Sequence, residues 1–205
     1  MEKKLDLRPI FIYLGCTLFI SAILLVIFGI LNVHEDISQA ITQFVALIIP
    51  TVAFVLMYKK RLHHDIKKIH LNLLLKVLIF GVVACIINEL LTPFVTTENQ
   101  QILVRMIHTL PILSAIFICL LGPFVEEFVF RYSFDIFIKN EKLFLVISSF
   151  VFGLLHTSGF GAGWWLYVLL GFFMGIVYIK SNHNIVASII VHVLLNIVDF
   201  LFIIL

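Results

Sequence analysis

The sequence predicts an all-α fold, a polytopic membrane helix bundle of about seven transmembrane helices. Three observations predict it. Of 205 residues, 62% are hydrophobic and the mean hydropathy is +1.16, against about 45 to 50% apolar residues in a soluble domain. Apolar runs of about 20 residues recur, each long enough to cross a hydrocarbon core about 30 Å thick. They lack the period-two alternation of barrel strands, so helices, which close their own backbone hydrogen bonds, are the remaining solution. The basic residues collect between the runs, on alternate loops.

The elements follow in order. Pro9 opens a first apolar run that ends at Leu31. It is too long for the 7 to 15 residue core of a signal peptide and has no small-residue cleavage site, so it reads as a retained span. The loop 32–39 holds Glu35 and Asp36 but no Lys or Arg, and a second span covers 40–58. The most basic loop comes next, with Lys59, Lys60, Arg61, Lys67 and Lys68 among His63, His64 and His70, a composition that suits a solvated face beside anionic lipid. A third span covers 71–94. The polar stretch from Thr96 to Gln101 follows, and 98–108 reads as an outer loop or an interfacial helix.

A fourth span, 110–137, holds Glu126, Glu127 and Arg131 inside an apolar run. A charge at the centre of a membrane helix costs about 2.5 to 3.5 kcal/mol, so these three must face a protein interior or a watery cavity. The fifth span, 143–157, closes on His156 and leads into a turn from Ser158 to Gly163. Trp164, Trp165 and Tyr167 then mark an interfacial aromatic belt at the start of a sixth span that ends at Lys180. Gly171 and Gly175 form a small-xxx-small pair suited to close helix packing. The seventh span, 184–205, carries His192 and Asn196.

With the N-terminus in the cytoplasm, twelve of the fourteen basic residues, Lys3 and Lys4 among them, fall on the cytoplasmic side. The positive-inside rule therefore predicts an integral protein, of the cell membrane, with N-terminus in and C-terminus out. The basic residues are spread over membrane-flanking loops and form no phosphate-binding patch, so membrane lipid and not nucleic acid is the expected partner. Cys16, Cys85 and Cys119 lie in apolar runs with no CxxC and an odd count, a pattern of packing residues and not of disulfides or a thiolate metal site. The chain reads as one transmembrane domain, with 1–108 as supporting spans and 109–205 as the part that holds the candidate site.

Three polar signals stand on successive late helices: Glu126-Glu127 with Arg131, Phe152 with His156, and His192 with Asn196. At about 1.5 Å per residue, Glu126, His156 and Asn196 reach a similar depth, with His192 about 6 Å lower. Residues four apart share a helix face, so His192 and Asn196 point the same way and Glu127 can pair with Arg131. Glu126, turned about 100° away, is left to face a cavity.

Glu-Glu-x-x-x-Arg, Phe-x-x-x-His and His-x-x-x-Asn in this order resemble the three motifs of the Abi family, the intramembrane CAAX-protease and bacteriocin-processing proteins. The resemblance covers about 110–196. It implies an endopeptidase in which Glu126 and His156 activate water while His192 and Asn196 stabilise the oxyanion, with Glu127, Arg131 and Phe152 in support. Residue chemistry agrees with that assignment. A carboxylate shielded from bulk water is a stronger base than a solvated one, and an imidazole can hold or shuttle the same proton.

Zinc is the alternative, since two histidines and a glutamate form a ligand set, but the HExxH spacing is absent and no metal or other cofactor is expected. Two further function classes compete with proteolysis. A bacteriocin self-immunity protein acting by binding would use the same residues. A proton-linked transporter also uses Glu and His chains, but no internal repeat or paired broken helices are visible.

Overall fold

The computed structural model describes residues 6–95, 97–157 and 159–205; Lys3, Lys4, Thr96 and Ser158 of the reading above lie outside them. Among the described residues every regular element is helical. We number them α1 (Arg8–Ile30), α2 (Glu35–Lys67), α3 (Leu71–Phe94), α4 (Glu98–Thr109), α5 (Pro111–Phe137), α6 (Glu141–Leu155), α7 (Ala162–Lys180) and α8 (Ile185–Ile204). Six of them are long and apolar enough to cross a membrane. The expected fifth span is the short one. With 15 residues, α6 is about 22 Å long, less than a full crossing.

The stretch 98–108 resolves as a helix, α4. Thr97 caps it by accepting the Gln100 N–H at 3.1 Å, and its buried Met106 and Ile107 turn inward. The loop expected at 59–70 is also mostly helix. Backbone angles break at Tyr58, with φ −110° and ψ 16°, and α2 then continues to Lys67. Polar contacts hold this extension down. Asp65, buried at 2% exposure, takes the Arg61 guanidinium at 2.8 Å and the Ile185 N–H at 3.0 Å. Arg61 also donates to the His183 carbonyl. Asn184 completes the N-cap of α8 by accepting the N–H groups of Val186 and Ala187. A cap of this kind stabilises a helix by about 1 kcal/mol, and here it fixes the helix that carries His192 and Asn196. His70 is a cap too, accepting the Leu73 N–H at 3.2 Å, while His64 lies 2.9 Å from Asp65.

Lipid tails are as apolar as leucine, so helices in a membrane associate by close packing and polar contacts. Three glycines show this between α6 and α7. A Cβ on Gly171 would stand 3.0 Å from Ser149 Cα, one on Gly175 2.6 Å from a Leu145 methyl, and one on Gly153 2.7 Å from a Val168 methyl. The small-xxx-small pair therefore packs helix on helix, as its spacing predicts.

The site helix α5 departs from a plain α-helix twice, with π-helical turns at Phe117–Leu121 and Phe128–Ser133. The first stands just ahead of Gly122 and Pro123. A proline lacks an N–H and its ring clashes with the preceding turn, and widening that turn relieves both problems. Gly122 allows it, since a Cβ there would lie 3.1 Å from the Phe117 carbonyl oxygen.

Candidate active site

α5 brings two adjacent carboxylates into the bundle and gives them different surroundings. Glu127 and Arg131 are both fully buried and lie 3.2 Å apart, Oε2 to Nε. The pair is held by charge more than by direction, because no linear hydrogen bond joins these two atoms. Arg131 also stands over the Phe152 ring at 5.6 Å and reaches the Ser148 hydroxyl at 3.5 Å. Glu126 is turned the other way. Its side chain keeps 15% exposure, and it lines a cavity of about 830 Å³ to which Glu127 does not contribute.

The Phe-x-x-x-His spacing has a local cause. His156 is the C-cap of α6, where helix carbonyls lack an N–H partner from a following turn. Its Nδ1–H donates to the carbonyl of Phe152, four residues back, at 2.8 Å. The two rings then stack with centroids 4.2 Å apart, and Tyr167 of α7 stacks on the opposite face at 4.8 Å. Clamped between two aromatic faces, the imidazole presents Nε2 to Glu126 Oε2 at 3.5 Å.

His192 arrives from α8. Its Nδ1 lies 3.0 Å from Glu127 Oε1, and its Nε2 lies 3.7 Å from the same Glu126 oxygen that faces His156. One carboxylate oxygen is thus faced by two imidazole nitrogens from two other helices. Both Nδ1 atoms are engaged elsewhere, so when the rings are neutral the two Nε2 atoms turn lone pairs toward Glu126. Three acceptors in one place call for hydrogens between them, and a water or an added proton supplies them.

Asn196 lines the same cavity. One N–H of its amide donates to the Ile118 carbonyl at 2.8 Å, and that carbonyl belongs to the first π-helical turn of α5. Among the described residues the second N–H has no such tie. Among the described residues no group of three His, Cys, Asp or Glu side chains is arranged to hold a metal ion.

Sequence reasoning missed two features. It paired Glu127 with Arg131 alone, whereas Glu127 also holds His192. It placed Tyr167 in an interfacial belt, whereas the ring forms one wall of the His156 clamp and its hydroxyl accepts from Asn99 of α4 at 3.2 Å. Farther up the cavity Asn88 donates to Asp199 at 2.6 Å.

Residues 108–198 match the family described as type II CAAX prenyl endopeptidase Rce1-like. The chain is also similar to the UPF0177 protein YxdF of Lactococcus lactis subsp. lactis (strain IL1403), 40% identical over 90 residues, which are 42% of this chain and 49% of that protein. The chain thus spans about half the length of the curated relative that it matches. No solved structure matches it. The matched segment holds all three motifs and every side chain of the cluster around Glu126, and over that segment the chain is similar to the Rce1-like family of type II CAAX prenyl endopeptidases.

Proposed function

We propose that the chain is an intramembrane endopeptidase that hydrolyses a peptide bond of a membrane-associated peptide or protein, of CAAX or leader-peptide type, with glutamate-activated water. The observation that carries this reading is the single Glu126 oxygen faced by His156 Nε2 at 3.5 Å and His192 Nε2 at 3.7 Å, on the wall of a cavity of about 830 Å³. A cavity of that size is within the usual range for small ligands, about 300 to 1,000 Å³, and accepts a few residues of extended chain.

In the proposed step a water seated against these three atoms gives its proton to Glu126 as its oxygen attacks the scissile carbonyl. The C–O bond forms and the carbonyl oxygen takes up negative charge. A protonated His192, with Nδ1–H on Glu127, would turn an Nε2–H toward that oxygen, and the untied N–H of Asn196 is the second donor. Glu126 then passes its proton to the leaving amine as the C–N bond breaks. Glu127 and Arg131 position His192 and do not touch substrate.

General base catalysis contributes about 10²- to 10⁴-fold. Glu126→Gln keeps the size and removes the base, so cleavage of a peptide panel by detergent-purified protein should fall by about that factor with no change in melting temperature. Full activity in this variant overturns the mechanism. Asn196→Ala should lower kcat by about 10²- to 10³-fold with KM little changed, as expected of a donor used mainly in the transition state.

We further propose that the water is activated without a metal. Asn196, which shares a helix face with His192, is a poor zinc ligand and a good oxyanion donor. Elemental analysis of active enzyme tests this. About one zinc per chain, lost and restored together with activity, replaces the glutamate-water mechanism by a zinc-water one.

A further inference from the structure

The two ends of the bundle differ in charge, and the cavity belongs to only one of them. Contacts define the first end. Asp65 of α2 holds the start of α8, and His183, between α7 and α8, lies 3.0 Å from Asp135 of α5 and 3.3 Å from Glu141 of α6. Lys59, Lys60, Lys67 and Lys68, with Lys139, Lys142 and Lys180, lie on the segments that meet here. The opposite end is joined by Arg105 to Asp36 at 3.4 Å and by Asn88 to Asp199. Arg105 is the basic residue placed there among the described residues.

The cavity walls come from 88–95, 99–107, 117–126 and 192–203 with parts of α1, α2, α6 and α7. Nothing from 54–76, 130–150 or 176–190 contributes. The chamber therefore has its floor at Glu126 and His192 and leads toward the end that lacks the lysines, where Gln101 and Arg105 are exposed. Its upper walls carry the side-chain amides of Asn88, Asn99, Gln100 and Gln101. Asn88 and Asn99 each give one N–H, to Asp199 and Tyr167 respectively, and the remaining amide donors and acceptors match an extended peptide backbone, whereas a hydrocarbon chain would leave these unpaired.

Basic residues flanking membrane helices stay in the cytoplasm. We infer that the candidate active site is reached from the extracytoplasmic face, and that of the two substrate types proposed above it takes the leader-peptide type, a polar segment of an exported or membrane-anchored peptide on that side. This rests on the endopeptidase reading for the word substrate; the face from which the cavity is reached does not.

Cysteine labelling separates the two. The native Cys16, Cys85 and Cys119 are buried, at 7%, 6% and 6% exposure, so added cysteines read against a low background. Gln101→Cys stands at the rim, Thr92→Cys in the cavity wall, and Lys142→Cys at the lysine-rich end. In intact cells a membrane-impermeant thiol reagent should label Gln101→Cys and Thr92→Cys, and should label Lys142→Cys only after permeabilisation. Labelling of Lys142→Cys from outside, or of the other two only after permeabilisation, overturns the inference whether or not the protein cleaves peptides. In purified protein that cleaves a peptide, a bulky maleimide on Gln101→Cys should slow cleavage at least tenfold and the same reagent on Lys142→Cys should not. Unchanged cleavage with Gln101→Cys fully modified overturns this access route while the endopeptidase reading stands. Loss of cleavage in none of the Glu126 variants overturns that reading and leaves the labelling result intact.

Discussion

Helices α1 and α5 are both apolar enough to span a membrane, yet 6% of the most apolar stretch of α1 is buried in the protein against 50% for α5. α1 turns Phe11, Leu18, Phe19, Ile23 and Val26 outward, and lipid is the solvent that accepts them. α5 surrounds Glu127 and Arg131 with Phe128, Val129 and Phe130, all buried. Hydropathy tells that a segment can enter a membrane, but not which side chains the protein will keep from the lipid. Buried charge marks the difference, because a charged group in this setting persists only where the protein supplies partners.

The comparison can be broken at the charge pair first. Glu127→Gln leaves Arg131 buried without its counter-charge and takes the carboxylate from His192, so we expect a loss of about 3 to 5 kcal/mol, read as a clear fall in melting temperature in detergent. The double variant Glu127→Gln with Arg131→Met should recover much of that stability, since removing both charges removes the stranded one. It should remain inactive, because His192 is no longer held. An unchanged melting temperature in the single variant contradicts the pairing.

A smaller effect sharpens the contrast in packing. Gly171→Val must push against Ser149 Cα, which a Cβ already approaches to 3.0 Å, and overpacking of this kind costs about 1 to 3 kcal/mol. Gly29 of α1 has nothing within 4 Å of a Cβ. Gly29→Ala should therefore change stability by no more than about 0.5 kcal/mol, and equal shifts for the two would show that α1 is packed as tightly as α7.

The smallest effect lies at the foot of α1. The Arg8 guanidinium, and to a lesser degree the Tyr58 hydroxyl, hold the Asp6 carboxyl below its ordinary range against the opposing pull of burial. A carboxyl depressed in the folded state contributes stability above its unfolded pKa and loses it as pH falls through the folded value. The melting temperatures of the parent and of Asp6→Asn should differ slightly at neutral pH and converge in acid. A gap that widens as pH falls would reverse the sign.

Much of the candidate site was legible because it depends on spacing within one helix. Glu127 and Arg131 are four apart, as are Phe152 and His156, and His192 and Asn196, and residues four apart meet on one helix face. The same rule separated Glu126 from Glu127 by about 100° and directed one to the cavity and the other to its arginine. Gly171 and Gly175 were legible for the same reason. The break at Tyr58 was not, because Lys59 to Lys67 reads equally as a solvated loop and as a helix until Asp65 is seen to cap α8.

By itself the sequence determined the membrane class, the order of the helices, the residues that carry charge into them, and the segment 108–198 that is similar to the Rce1-like family. Only the tertiary structure decided who meets whom across helices. Glu127 reaches His192 over 65 positions, Asp65 reaches Ile185 over 120, and Asn99 reaches Tyr167 over 68. Local periodicity places a side chain on a face, but the rotation and depth at which two faces meet are settled by packing, here by Gly153, Gly171 and Gly175 letting α6 and α7 close together. The cavity and the end of the bundle to which it leads follow from that packing, since a void is defined by what several helices leave unfilled.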